Sequence, residues 1–214
     1  MTAFTDILDL RTAVVEQVGR ADIADVFPRL VSLAEADFNR KLRLRRMINT
    51  ETVTFYDGKG ALPHDYLEMI GVYAPCGFEY HEQTPQHVRR SGYYYSIERL
   101  DMVAPHLSGQ LRVQYYGKIP SLVGYVDLTG LPLVGVIAPG PGALFDMTRT
   151  NWMLEQYPEL YLYGVGTEAA KYLKDGDMAQ ASGGLLAAAI ADVRADDDRA
   201  RYSRARVRVA GCTP

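Results

Sequence analysis

The sequence predicts an α+β fold. A helical bundle of about four to five helices is expected, with a small antiparallel β-sheet or sandwich inserted between the N- and C-terminal helices. Apolar residues recur at helical spacing near both ends, and short segments with period-two alternation fill the middle. The predicted parts are a single domain 1–202, with helices in 6–46 and 150–202, strands in 47–121 and an inserted loop 122–148, and an extended C-terminal tail 203–214.

Two helices are predicted in the N-terminal region. Asp6 is suited to cap a first helix, and Gly19 is suited to end it in the left-handed conformation. A second helix is predicted to begin near Asp22 or Asp25. Its apolar stripe consists of Phe27, Leu30, Val31, Ala34, Phe38 and Leu42, and its opposite face carries Arg29, Glu35, Arg40 and Lys41.

The middle of the chain predicts short strands joined by hairpins. Thr50–Tyr56 alternates and is rich in β-branched residues, and the following Asp57-Gly58 is a strong turn signal. The other strand candidates are Leu67–Tyr73, Phe78–His81, Tyr93–Ile97, Met102–Ala104 and Gln110–Tyr116.

The C-terminal region predicts three more helices. Thr150 or Asn151 can cap a short helix, and Pro158 suits the first turn of a helix that runs to about Leu173. Asp175-Gly176 is a predicted turn. A last helix is predicted from Met178 to about Arg201, with Leu185, Leu186, Ala189, Ile190 and Val193 buried.

Two segments match no helix or strand of the bundle. Gly124–Met147 is a long loop rich in Gly, Pro, Val and Leu, and a loop of that length is either functional or disordered. The tail alternates basic and small residues from Arg204 to Val209, which favours an extended strand. For this tail, contact with a complementary protein surface is favoured over nucleic acid, since arginine is enriched at protein interfaces.

Composition excludes several classes of protein. The formal net charge of −3 argues against a generic DNA coat or a polybasic membrane binder. Two distant cysteines, Cys76 and Cys212, exclude a disulfide scaffold and a four-cysteine zinc site. No signal peptide and no membrane-spanning run is apparent, so synthesis in a cytosol is expected. The 15 tyrosines, against 6 phenylalanines and 1 tryptophan, suit either protein interfaces or the edge of a β-rich core.

The sequence predicts no catalytic residue, no metal ligand set and no cofactor. The four histidines form no helix-spaced pair with a carboxylate, and Gly135–Gly142 lacks the Lys-Ser/Thr ending of a P-loop. Asp196, Asp197 and Asp198 splay around a helical turn, so they cannot converge on one ion. The expectation is therefore a protein that works through its surfaces.

The segment that begins at Thr150 carries specific motifs, namely Thr150-Asn151-Trp152-Met153-Leu154, Pro158–Gly164 and Glu168-Ala169-Ala170. These motifs resemble the C-terminal signature of the family of adaptor proteins of tailed bacteriophages, the head-to-tail connectors that bind below the portal. Leu33–Arg40, Leu62–Glu68 and Tyr115–Pro120 resemble its early helix, its "LP-DYLE" turn and its "YY-IP" strand. One departure is that Ser121–Met147 separates the "IP" strand from the "TNW" helix, where family members have only a few residues.

The resemblance implies a structural protein of the virion neck, assembled in the host cytoplasm. It implies a homo-oligomeric ring of twelve copies under the portal protein, which extends the DNA channel and provides docking sites for tail components. Genomic DNA would pass transiently through the channel, and no membrane is involved. Portal binding is expected at Arg199, Arg201, Arg204, Arg206 and Arg208, and contact with a tail nozzle or fibre protein at Leu131, Leu133, Val136 and Ile137.

Four aromatic residues of the signature are expected to serve in core or subunit packing. Trp152 is interpreted as packing its helix on the bundle, with a ring interface as the alternative. Tyr157, Tyr161 and Tyr163 lie around one helix start and cannot all face one core, so at least one is expected at a subunit contact.

Two other functions stay open at this point. A cell-wall hydrolase carried in the neck would need a carboxylic acid of raised pKa, and Glu68, Glu79 and Glu82 are the glutamates clustered near histidines. A DNA-binding assembly factor would use the basic stretch Arg40–Arg46.

Overall fold

A computed structural model describes residues 4–84, 92–105, 107–126, 132–133 and 144–202. These residues form a mixed α+β structure, as predicted. The five α-helices are α1 (Ile7–Val18), α2 (Phe27–Lys41), α3 (Trp152–Gln156), α4 (Pro158–Leu173) and α5 (Gly176–Tyr202), with 3-10 turns at Ala21–Ala24 and Arg45–Met47. The strands are β1 (Ile48–Phe55), β2 (Lys59–Ala61), β3 (Tyr66–Tyr73), β4 (Glu79–Glu82), β5 (Tyr94–Glu98), β6 (Asp101–Val103), β7 (Gly109–Gly117), β8 (Tyr125–Val126), β9 (Pro132–Leu133) and β10 (Leu144–Phe145).

The chain divides into two compact units. The first is drawn from Met1–Leu42 and Ile119–Pro214 and holds all five α-helices of the described residues. The second, Arg43–Lys118, holds β1 to β7. Membership of residues 1–202 in one domain stays a prediction.

Local signals fix both ends of α1. The Asp6 carboxylate accepts hydrogen bonds from the N–H groups of Leu8 (2.9 Å) and Asp9 (3.0 Å), which would otherwise lack partners at the helix start. Gly19 ends the helix at φ 69°, and its N–H donates to the Val15 carbonyl. Both caps are those predicted.

The second helix begins later than predicted. A 3-10 turn occupies Ala21–Ala24, and α2 starts at Phe27 with a proline in its first turn. All six residues of the predicted apolar stripe are buried. Glu35, predicted on the opposite face, is also buried at 5% exposure, which corrects that assignment.

Helix α4 is the centre of the helical unit, because it contacts α1, α2, α3 and α5. Gly164 lets α2 approach closely, since a Cβ there would lie 2.5 Å from the Phe38 ring. The Phe38 ring also meets the Tyr161 ring edge-on, with centroids 5.4 Å apart. On α5, four of the five residues predicted to be buried are buried, whereas Leu185 is 49% exposed.

The second unit is larger and more closed than the small sheet that the sequence predicts. Its strand order is β1-β7-β3-β4-β5-β6-β2, antiparallel except for the parallel β4–β5 pair. The Asp57-Gly58 turn joins the two end strands through a bridge between Tyr56 and Lys59, so the sheet nearly closes on itself. Val53, Phe55, Val72, Leu111 and Val113 are among the side chains that fill its interior.

The predicted loop 122–148 contains strands. β8 pairs with both β9 and β10 in a three-stranded antiparallel sheet. Residues 127–131 and 134–143 of the loop and the whole tail 203–214 lie outside the described residues. Among the described residues, no helix is both long and apolar enough to cross a membrane.

Replacement of Phe38 by Ala tests the packing of α2 on α4. Because Phe38 is fully buried, we expect the Phe38→Ala variant to lose about 3–5 kcal/mol of unfolding free energy. Ser32→Ala, on the exposed side of the same helix, is the control and should change stability by less than about 0.5 kcal/mol. Denaturant unfolding followed by circular dichroism measures both. Equal losses in the two variants would contradict this packing.

Candidate functional site

A buried carboxylate, Glu35 of α2, lies at the centre of the helical unit. Its two oxygens accept hydrogen bonds from the Ser121 hydroxyl (2.6 Å), the Leu122 N–H (2.7 Å) and the Tyr161 hydroxyl (3.2 Å). Burial raises the pKa of Glu35, and these hydrogen bonds oppose that rise because they favour the charged form. The carboxylate therefore ties α4 and the segment after β7 to α2.

Asn151 extends this network to the start of α3. Its side-chain oxygen accepts from the N–H groups of Met153 (3.1 Å) and Leu154 (2.8 Å), so Asn151 rather than Thr150 is the cap. Its amide group donates to the Pro120 carbonyl (2.6 Å) and to the Tyr161 hydroxyl (2.8 Å). One side chain therefore satisfies the helix start and fixes the preceding segment to α4.

The Tyr161 hydroxyl connects the two parts of the network. It accepts from Asn151 and donates to Glu35, which uses both of its hydrogen-bonding capacities. Burial and the neighbouring Glu35 charge raise the pKa of Tyr161 well above its ordinary value, so the hydroxyl keeps its proton. We call the buried side chains Glu35, Asn151 and Tyr161, together with the exposed Ser121 that bonds to Glu35, the buried junction.

Contacts beside the buried junction hold the two ends of the insertion between β7 and α3. Asn39 accepts from the Ile119 N–H at 2.9 Å. On the returning side, Arg149 donates to the Val123 carbonyl (3.1 Å), and the Asp146 N–H donates to the Gly124 carbonyl (3.0 Å). A Cβ on Gly124 would overlap the Arg149 guanidinium, so a larger residue there would require the arginine side chain to move.

A second polar cluster lies in the unit of strands, and it involves two of the motifs noted above. The Asp65 carboxylate accepts from the Tyr115 hydroxyl and the Asn49 amide, both at 2.8 Å. The Asp65 carbonyl accepts from the Lys118 N–H at 2.7 Å. A Cβ at Gly117 would lie 2.5 Å from the Asn49 amide nitrogen and 2.6 Å from an Asp65 oxygen. Asp65 and Gly117 therefore have structural roles in their motifs.

The four aromatic residues predicted for packing differ in how far their side chains are buried. Tyr161 is fully buried, whereas Trp152, Tyr157 and Tyr163 are half-buried. The buried side chains of α3 are Met153 and Leu154, which directly follow the tryptophan.

The residues predicted to bind a portal are only partly described. Arg199 and Arg201 lie in the last turns of α5, where Arg199 pairs with Asp196 and Arg201 pairs with Asp197 at 3.0 Å. Arg204, Arg206 and Arg208 lie outside the described residues. Leu133 of the predicted tail-component contact belongs to β9, and Leu131, Val136 and Ile137 also lie outside.

A groove of about 440 Å³ lies between α2, α4 and α5. Its charged residues are paired within the chain: Lys41 with Asp37 and Lys171 with Glu168, both at 2.6 Å. Arg194 donates to the Lys41 carbonyl at the end of α2. These contacts within and between helices explain the charged residues of the groove, and their arrangement indicates no reaction.

The geometry gives little support to a hydrolase. Glu68 pairs with Arg43 at 2.6 Å, and Glu79 and Glu82 are exposed. The glutamate with a raised pKa is Glu35, and its oxygens are already bonded to groups of the chain itself. Within the described residues, no three His, Cys, Asp or Glu side chains are grouped as a metal site would require.

Sequence reasoning named Asn151 as a cap and Tyr161 as a packing residue, but it missed Glu35 and Ser121 and the hydrogen bonds that join the four. Glu35 lies four positions after Val31 and three before Phe38, which are both buried. That spacing places it on the buried side of α2, and this is the signal that could have found it. No sequence signal identified Ser121 as its partner.

Comparison with known families gives a match over nearly the whole chain. A family model described as SU10 adaptor protein matches residues 5–210. No curated protein matches the sequence.

The raised pKa of Glu35 predicts a specific pH dependence of stability. Ionisation of Glu35 is harder in the folded than in the unfolded chain, so its destabilising effect is complete above the folded pKa and absent below the unfolded pKa. As pH falls through that window, wild type should gain unfolding free energy relative to Glu35→Gln. Urea titrations from pH 7 to pH 4 measure the difference. Glu16→Gln, at an exposed position of α1, is the control. If the difference in unfolding free energy between wild type and Glu35→Gln did not change with pH, the raised pKa of Glu35 would be contradicted.

Removal of the Tyr161 hydroxyl tests the buried junction directly. In Tyr161→Phe, Glu35 and Asn151 each lose a partner inside the protein, which should cost about 1–3 kcal/mol of unfolding free energy. Tyr163→Phe, a half-buried tyrosine two positions away, is the matched control and should cost less than about 1 kcal/mol. Denaturant unfolding at pH 7 compares the two variants. Equal losses of unfolding free energy would contradict a stabilising role of the Tyr161 hydroxyl in the buried junction.

Proposed function

Because the chain belongs to the SU10 adaptor protein family, a family of phage adaptor proteins, we propose that it is a structural head-to-tail adaptor that forms a ring under the portal. The observation that carries the proposal is the family match over residues 5–210. An adaptor of this kind is a component of the virion neck that interacts with other neck proteins. The proposed ring has twelve copies, extends the DNA channel and provides docking sites for tail components.

The insertion is the proposed docking site for a tail nozzle or fibre protein. Its two ends are fixed by the buried junction and by Arg149, and its short strands β8 and β10 pair with each other. A loop whose ends are fixed loses less conformational entropy on binding than a free one. Leu131, Leu133, Val136 and Ile137 are the side chains proposed to make the contact.

The end of α5 and the tail after it are the proposed portal-binding part. Helix α5 has 27 residues, so it is roughly 40 Å long at 1.5 Å per residue. Arg199 and Arg201 occupy its last turns, and Arg204, Arg206 and Arg208 follow in the sequence. An arginine-rich end of a long helix suits a complementary acidic protein surface.

The net charge supports the proposed channel, and the exposure of aromatic side chains supports the proposed subunit contacts. A net charge of −3 suits a passage through which DNA must move without being retained. Trp152, Tyr157 and Tyr163 are half-buried, and aromatic side chains at this depth are suited to contacts between copies.

Assembly with the portal protein tests the proposal. The purified chain is mixed with portal protein from the same phage and imaged by negative stain, and a ring of twelve copies on the portal is expected. A chain lacking residues 127–143 should form the same ring but should fail to retain tail components in a pull-down. Chains that do not bind the portal in either form would contradict the adaptor role.

A further inference from the structure

Two helices of the helical unit each expose a leucine in a regular stripe. On α2, Leu33 is 46% exposed, and the exposed residues Arg29, Leu33, Ala36 and Arg40 recur every three or four positions, with the exposed Ser32 beside them. This spacing aligns them along one side of the helix, opposite the buried stripe. We call these five residues the α2 face, which has an arginine at each end and Leu33 and Ala36 between them. Arg40 pairs with Asp37 of its own helix at 3.2 Å, and its side chain is 77% exposed.

The second stripe runs along α5. Leu185 is 49% exposed, and the exposed residues Asp177, Ala181, Leu185, Ala188 and Asp192 recur every three or four positions. The buried residues of α5, among them Leu186, Ile190 and Val193, lie on its other side. These five exposed residues are the α5 face, which has an anion at each end and an apolar centre.

The two faces are complementary in charge and in shape. The two arginines of the α2 face are about 16 Å apart along the helix axis, and the two aspartates of the α5 face about 22 Å, at 1.5 Å per residue. Long arginine side chains can reach along a neighbouring helix while their stems cover apolar surface. The small residues Ala36, Ala181 and Ala188 leave room for the leucine of the opposite face.

We propose that the α2 face of one copy binds the α5 face of a second copy. This inference rests on the proposed ring and names the surfaces that build it. Contact between two α2 faces would bring arginines together, and contact between two α5 faces would bring aspartates together, so both self-pairings are disfavoured. Pairing of two different faces is head-to-tail, and a head-to-tail contact makes a closed ring when its rotation closes.

Reversal of charge on one face at a time tests the inference. Arg29→Glu with Arg40→Glu makes both faces acidic, and Asp177→Arg with Asp192→Arg makes both faces basic. Each double variant alone should associate at least tenfold more weakly than wild type in sedimentation velocity at low salt. A one-to-one mixture should regain the association, because each acidic face then meets a basic one.

Controls separate this result from misfolding and from general charge effects. Circular dichroism checks that each variant is folded, and Asp192→Arg alone replaces the double variant if the change at Asp177 weakens the start of α5. Lys59→Glu and Glu16→Arg reverse exposed charges elsewhere and should leave association unchanged.

Three outcomes would overturn the inference. Wild type could remain monomeric at all concentrations, the reversed variants could associate as well as wild type, or the mixture could fail to recover. If Arg29→Glu with Arg40→Glu bound DNA more weakly than wild type but associated equally well, the α2 face would instead be assigned to contact with DNA phosphates. Rings that form on the portal regardless of these charges would keep the adaptor role and reject only this interface. Charge-dependent association of a chain that does not bind the portal would keep this interface and reject the adaptor role.

Discussion

The buried Glu35 carboxylate is the interaction on which the helical unit depends. Its oxygens bind Ser121, Leu122 and Tyr161, which come from two segments distant from α2 in the sequence. A carboxylate is costly to bury unless hydrogen bonds compensate for the lost water; here three donors offset part of that cost, and the pKa of Glu35 stays raised. The cost of burial therefore makes this arrangement specific, because any slip of α4 or of the 119–122 segment would leave the charge without partners.

The buried junction also explains how the helical unit accommodates the long segment between β7 and α3. Asn151 caps α3 and holds Pro120, and Arg149 holds Val123, so the chain leaves and re-enters the helical unit at one place. Loop closure costs little extra for each added residue, and the added segment therefore leaves the packing of the helices intact. A partner-specific surface can be added at such a point without a change in the core.

The polar clusters of this protein are structural, in keeping with an adaptor. Asp65 binds Tyr115, Asn49 and Lys118, and Gly117 is there because no Cβ fits beside the Asn49 and Asp65 side chains. The half-buried aromatic residues and the exposed helix faces are the surfaces that we propose for partners. On this proposal, stability and assembly depend on different residues.

The sequence by itself determined the features that depend on neighbouring residues. The caps at Asp6 and Gly19, the buried stripe of α2 and the order of helices and strands follow from spacing of a few positions. Only the tertiary structure decided the hydrogen-bond partners of Glu35, because Leu122 and Tyr161 lie 87 and 126 positions away. The near closure of the seven-stranded sheet and the exposure of Leu185 were decided in the same way. Local periodicity says which side of a helix is apolar, but long-range contacts determine what that side meets.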